Sequence, residues 1–342
     1  MDTRFTPAHP APRTALHRRL WLAACVSLIG LPAWAQDAKP ADGKWPTHMV
    51  RFVAAGPAGS ISDTLTRALA DHMSRALGQT VIVDNKPGAN SAIGASEVAR
   101  SAPDGHTLLM TNSSSITVNP QLYRKLSYKA ESLLPVTPII EGQFVLAVNP
   151  AWAKANKIES AKDLIAWAKA HPGKLRYASA GLGNLAHLTF AMLGNKEGFE
   201  AIHVPYKGQA PAQMALMAGE VEAMFDIPNS APNFETGKIK PLAITAPKRV
   251  ARLPNVPTMT EAGYPVDVNY WMGVFVPAGT PPAVVSKVNE ALRAATHDPK
   301  VRTTLTMQGD VLTESADAFG KRIAKEIPQW GAVIQREKIE VD

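Results

Sequence analysis

The sequence predicts an α/β protein of two domains, each a mostly parallel sheet flanked by helices. Three observations carry this. Short apolar runs alternate with segments of helical spacing along most of the chain. Several of those runs empty into loops of Gly, Ser, Thr and Asn, which lie where ligands sit in such sheets, outside the carboxyl ends of strands. From Leu134 to Val148 the pattern changes to Pro-punctuated apolar runs, which fit a strand crossing between domains and place a hinge there.

The first 35 of the 342 residues carry Arg13, Arg18 and Arg19, an apolar run from Leu20 to Leu31, and then Ala33 and Ala35. This reads as a secretory signal cleaved before Gln36. Its apolar run is too short to span a bilayer, and no other stretch reaches the roughly 20 apolar residues a spanning helix needs. The whole chain has 36 Lys and Arg against 29 Asp and Glu; without the signal these become 32 and 28, so the charge falls from +7 to +4. With the charges interspersed, nucleic acid is not an expected partner, whereas a mild positive field favours small anions. Cys25, the one cysteine, lies in the signal, which leaves the mature chain without a disulfide or thiolate chemistry.

The stretch Phe52 to Leu69 reads as strand, tight loop and helix start. Gly56, Pro57 and Gly59 allow a sharp turn beside a ligand, and Ser62 or Asp63 is expected to cap a helix carrying Leu65, Leu69 and Met73. Free N–H groups at such a turn attract anions. No Lys follows as in a nucleotide-binding loop, so a small carboxylate suits the site better than a phosphate. Val81 to Val83 is a second strand, Ile93 to Ala99 a helix, and Thr107 to Met110 a third strand that empties into Thr111, Asn112, Ser113 and Ser114. Beyond the crossing, Ser160 caps a helix that stops at Pro172, and Tyr177 to Ser179 leads into Gly181, Gly183 and Asn184 before a helix through His187. Ile202 to Val204 precedes a helix ending near Gly219, and Ala223 to Phe225 delivers Asp226 to a strand end. Leu242 to Thr245 is a further strand, Pro254 to Glu261 an irregular segment before a short helix, and Trp271 to Val276 the return crossing. Pro281 to Ala295 and Ser315 to Ile334 are helices expected to pack on the first domain.

No catalytic set emerges. Residues Gly94 to Val98 resemble a nucleophile elbow but end in Val where Gly is needed, and the histidines show no paired metal spacing. His187 stands close to a Gly-rich loop, where it either meets a ligand or sits half-buried with a partner. Asp226 either accepts a ligand donor or caps a neighbouring helix. Trp271, beside Tyr270, either floors a binding pocket or belongs to the core, where a large aromatic at a crossing more often sits.

The mature chain resembles the periplasmic substrate-binding receptors of tripartite tricarboxylate transporters, also called Bug receptors. The resemblance rests on VDNKPGANSAIG at 83 to 94, APDGHTLLMTNSSS at 102 to 115, NPQLYRKLSY at 119 to 128, YASAGLGNLAHL at 177 to 188, HVPYKGQAPAQ at 203 to 213, MFD at 224 to 226, LPNVPTMTEAG at 253 to 263 and WMGVFVPAGTPPAVV at 271 to 285. It implies a two-lobed periplasmic-binding-protein fold, the type II Venus flytrap, that closes on a small carboxylated solute and hands it to a membrane permease. It also implies ligand contacts from Ala58 to Ser62, Gly59 and Ser60 included, from Thr111 to Ser114, and from Ser179 to Asn184; the anion-attracting turn read above adds Asp63 to the expected site. Three positions depart from the family pattern: Ser60 stands where a second Gly is usual, Asp84 where Glu is common, and His106 where Tyr is common. The expected layout is lobe one from 47 to 140 and 275 to 342, with lobe two from 141 to 274. The expected protein is a monomer without a cofactor or metal that catalyses nothing. Two other readings stay open: a receptor that reports ligand to a signalling partner, and an enzyme on the same two-lobed fold.

Overall fold

The structure, a computed structural model, describes residues 45–336 together with 338 and 339. The expected signal, its cleavage site and Cys25 lie outside them. The first half runs β1 (Val50–Ala54), α1 (Ile61–Leu77), β2 (Val81–Asn85), α2 (Ala92–Ala99), β3 (Thr107–Asn112), a π-helical turn at Ser114–Val118, α3 (Asn119–Leu122) and β4 (Leu133–Gln143). After Phe144 come β5 (Val145–Val148), α4 (Pro150–Ala155), α5 (Ala161–Ala170), β6 (Leu175–Ser179), α6 (Leu185–Glu197), β7 (Ala201–Pro205), α7 (Gln209–Ala218), β8 (Ala223–Asp226), α8 (Ala231–Glu235) and β9 (Lys240–Ile244). The chain returns as β10 (Asn269–Pro277) and ends in α9 (Pro282–His297), α10 (Pro299–Thr306), β11 (Asp310–Val311) and α11 (Ala316–Arg336).

These strands make two sheets, one ordered β11-β4-β10-β3-β1-β2 and the other β7-β6-β8-β5-β9. The α/β expectation holds, but each sheet is mixed rather than mostly parallel. β1 pairs parallel with β2 and β3, and β6 with β7 and β8, as βα alternation requires. The antiparallel pairs arise at the crossings. β4 leaves the first sheet and feeds β5 into the second, β10 comes back beside β4, and a strand and its adjacent return run in opposite directions.

Helix α1 is held by packing more than by propensity. Leu65, Leu69 and Met73 are fully buried against Phe52, Leu108 and Met110 of the first sheet and Val288 and Leu292 of α9. Each such side chain contributes roughly 1.5–3 kcal/mol of burial, so the helix start is fixed relative to β1. Its cap is Ser60, not Ser62 or Asp63. The Ser60 side chain accepts from Asp63 N–H, while Asp63 Oδ2 reaches back to Gly59 N–H at 2.8 Å, so the cap lies two residues before Ser62 and three before Asp63, and the helix begins that much earlier than the sequence predicts. Ser160 caps α5 as expected, in a full reciprocal box with Asp163. No short helix follows Pro254: Met259 N–H donates instead to Ile244 O, and Glu261 bonds back to Thr258, which ties this segment to the edge of the second sheet as turns.

Helix α11 is divided between the two sheets. Phe319 and Ile323 pack with Trp271 and Phe275 of β10, whereas Ile334 and Trp330 join a core that includes Phe144, Leu185, Ala186 and Tyr270. The expected packing on the first domain therefore describes only its first half. Trp271 is core, as the sequence suggests, with its Nε1 donating to Glu326 at 2.8 Å. Among the described residues no helix is long and apolar enough to cross a membrane.

Candidate functional site

Asp63 anchors the first loop. Its carboxylate takes Gly59 N–H at 2.8 Å, Asn85 Nδ2 at 3.0 Å and Arg67 Nε at 2.9 Å. Burial works against the charge, but these donors hold the carboxyl below its usual range. Asp63 is therefore a clamp on the loop. Ala58 and Gly59 are exposed, and Gly59 takes φ +79°, the left-handed turn that favours glycine. Ser60 and Ser62 share a 3.0 Å hydroxyl contact, and a Cβ on Gly56 would run into both oxygens. Among the described residues, the N–H groups of Ile61 and Ser62 have no hydrogen-bond partner, so the start of this 17-residue helix presents free donors next to two hydroxyls.

The loop after β3 is buried and knitted to itself. Thr111 Oγ1 meets Ser115 Oγ at 2.6 Å, Asn112 Oδ1 accepts Ser115 N–H, and Asn112 Nδ2 donates to Ser91. Ser113 Oγ lies 3.5 Å from Trp271 N. Ser114 reaches the other sheet, its Oγ accepting Leu185 N–H at 3.2 Å.

The loop after β6 meets it there. Ser179 is fully buried; its Oγ donates to Gly181 O at 2.9 Å and contacts His203 Nε2 at 2.7 Å. Asn184 caps α6 by accepting Ala186 N–H. Gly183 has φ +75°, and a Cβ there would strike Leu122 of α3. Tyr123 Oη donates to Leu182 O at 3.2 Å. Gly181 takes φ +151° but has only Tyr206 O near its Cβ position, at 3.7 Å, so its demand for glycine is conformational rather than steric. His187 is buried, accepts Gly183 N–H on Nδ1 and stacks on His203 with ring centroids 3.8 Å apart. Burial pushes its pKa down to about 4; burial, and then His187 itself, push His203 down to about 3. Both rings are neutral at neutral pH. His187 thus has protein partners on its ring, the Gly183 N–H and the His203 stack.

Asp226, at the end of β8, is fully enclosed. Its Oδ1 accepts Gln209 Nε2, Gln213 Nε2 and Ile227 N–H, while Oδ2 is buried without a partner, and burial raises its pKa. It caps no neighbouring helix of the second sheet; it gathers the side chains of α7. The structure thus joins the second and third loops directly, through Ser114 and Leu185. The first approaches them through Ile61, which packs on the core that contains Leu185. His203, Gln209, Gln213, Leu122 and Tyr123 hold this arrangement and were not singled out from sequence. Two cavities of about 520 and 770 Å³ lie elsewhere, one beside Tyr177, Phe190 and Phe199, the other between α9 and α11. None of the loop residues lines either.

The family model described as "Tripartite tricarboxylate transporter family receptor" matches residues 65–339. The chain belongs to this family. It is similar to the Bordetella pertussis protein BugT, with 33% identity over 296 residues that cover 85% of this chain and 90% of BugT. It is also similar to two solved structures from Rhodopseudomonas palustris. One is described with adipate, at 31% identity and a TM-score of 0.80, covering 87% of this chain and 99% of the other. The second, MatC with bound malate, has 30% identity and a TM-score of 0.77, covering 84% and 99%. The receptors of this family are solute-binding proteins, and the two-lobed fold expected from sequence is theirs.

Proposed function

We propose that this receptor works in the periplasm, closes on a small carboxylate between its lobes and delivers it to a permease of the tripartite type, without catalysing a reaction. Lobe one is 47–140 with 275–342 and lobe two is 141–274, moving as monomeric halves about the two crossings. The observation that supports this most is the convergence of three strand-exit loops from two sheets, with the free N–H groups of Ile61 and Ser62 beside the Ser60 and Ser62 hydroxyls. Donors fixed in advance suit a carboxylate, because a hydrogen bond to a charged group contributes roughly 1.5–3 kcal/mol. The ligand's carboxylate is assigned to this start of α1, with the Ser179 to Asn184 loop closing over it. The N–H groups of Gly183, Leu185 and Ala186 already serve His187, Ser114 and Asn184, so the second loop contributes shape more than charge.

A thermal-shift screen over mono-, di- and tricarboxylates, with adipate and malate included, tests the reading. A ligand at a hundred-fold excess over Kd should stabilise by about 2.7 kcal/mol, and Ser62→Ala should weaken its binding about ten-fold. A screen in which no carboxylate shifts the melting temperature, or a Ser62→Ala protein that keeps the full shift across a concentration series, would refute it. Incubation with the bound carboxylate should return it unaltered.

A further inference from the structure

We propose that His48, Asp104 and His106 form a site for a divalent transition ion of the zinc type, at the opposite end of the first sheet from the three loops. Parallel pairing puts Arg51 of β1 opposite Thr107 of β3, with Arg51 N–H donating to His106 O at 2.7 Å, so the residues just ahead of both strands lie side by side. Each of the three side chains offers a donor atom within 4.8 Å of the others. His106 is only 8% exposed, and its Nδ1 is buried with no hydrogen-bond partner. Asp104 Oδ1 lies 3.4 Å from that nitrogen. This is long for an N–H···O bond, whereas two ligands about 2.0–2.1 Å from a tetrahedral ion stand about 3.3 Å apart. Asp104 is itself held by His106 N–H at 2.8 Å, and Trp45 Nε1 pins the segment through Gly105 O at 3.1 Å. His48 stacks on His106 with centroids 3.7 Å apart and rings 8° from parallel. Being exposed, it has room to tilt off the stack and turn a nitrogen toward the same point. Two imidazoles and one carboxylate suit zinc and its transition-metal neighbours better than calcium or magnesium.

The other nitrogen of His106 completes the chemistry. Nε2 accepts Thr47 N–H at 3.1 Å, and Thr47 Oγ1 stands 3.4 Å away. With an ion on Nδ1 the ring proton sits on Nε2, where Thr47 Oγ1 accepts it, as outer-shell oxygens do for ligating histidines. Thr47 is exposed, so its N–H turns to water. Position 106 commonly carries Tyr in the family pattern that this sequence resembles, so the His here is a departure from that pattern. Sequence spacing does not display the donor set, because His48 stands far from the other two along the chain.

The test uses tag-free protein purified from the periplasm, stripped with a chelator, and Co²⁺ or Zn²⁺ as the added probe. One Co²⁺ per chain should bind with visible d–d absorption, Zn²⁺ should displace it, and Zn²⁺ should raise the melting temperature. His106→Tyr should abolish the absorption. The surface variants His48→Ala and Asp104→Asn, which leave the core intact, should each weaken Zn²⁺ at least ten-fold. His72→Ala, in the separate His72–Asp298 pair, should bind as wild type. Absence of one-to-one binding by the wild type overturns the assignment. So does wild-type affinity in both His48→Ala and Asp104→Asn, or loss of binding in His72→Ala.

Discussion

Gly183→Ala isolates the contribution of lobe closure to affinity. At this position φ is +75° and a Cβ would run into Leu122 of α3, with Asn90 Nδ2 and Tyr123 Oη at 3.7 Å. The substitution therefore carries two costs. A left-handed backbone costs a non-glycine residue roughly 1–2 kcal/mol, but that strain is present with the lobes open or closed and cancels from the binding equilibrium. On the proposed function, which assigns Leu122 and Gly183 to different lobes, the collision arises only as the lobes meet. Forcing an extra methyl into a packed contact costs about 1–3 kcal/mol, which converts to roughly 5- to 150-fold in Kd. Calorimetric titration with whichever carboxylate gives the largest thermal shift should show that loss. Gly181→Ala should lower the melting temperature of the unliganded protein while changing Kd far less, since its Cβ meets only Tyr206 O at 3.7 Å. If Gly183→Ala bound as tightly as wild type, with its fold intact by circular dichroism, closure against Leu122 would not be part of binding.

Acid should destabilise the fold through the stacked histidines. Both are depressed below the ordinary histidine value, to about 4 and about 3, so the unfolded chain binds more protons below about pH 6.5 and stability falls as pH drops from there toward 4. The shift of His187 corresponds to roughly 3 kcal/mol; melting curves from pH 7 to 4 should show the decline, and His187→Phe, which keeps a ring in the stack, should flatten it. A parallel decline in the variant would place the acid sensitivity elsewhere. Ser160→Ala should cost about 1 kcal/mol by removing the reciprocal cap on α5, measured by urea unfolding, with ligand affinity unchanged because the cap lies outside the three loops.

What the sequence made legible was local. Strand exits rich in small residues, the Ser160 box and the αL glycines at helix ends, such as Gly219 with φ +78°, are set within a few residues of chain and could be read there. The cap at Ser60 was missed because Ser60, Ser62 and Asp63 are all good capping residues; the choice between them was made by Asp63 reaching back to Gly59. Sheet direction was missed because pairing depends on where β10 re-enters, and nothing local in Asn269–Pro277 encodes its neighbour. The joins between loops span long stretches of chain. Leu185 and Ser114 are 71 residues apart, and the partner of Ser179 in the next strand, His203, is 24 residues away. Motif strings located the loops; only the fold shows that Asp63 serves as a clamp and His187 as the acceptor for Gly183.

The pairing of β4 with β10 bears on how a ligand leaves. The two strands are hydrogen-bonded from Leu133 opposite Pro277 to Gln143 opposite Asn269. Just beyond, Phe144 N–H and Val268 O both bond to Thr245 Oγ1, at 2.8 and 2.7 Å. Both connections between the sheets thus travel as a single ribbon. A ribbon bends across its flat face with small changes in backbone angles, whereas sliding one strand along the other by a residue would turn every side chain to the opposite face. Gly142 adds to this, because its missing Cβ makes room for the Tyr270 ring, and slippage would replace it with a side chain. On the proposed function, such a ribbon would confine opening to one swing, like a book parting along its spine. The rim farthest from Phe144 would then separate furthest, and the solute would leave there.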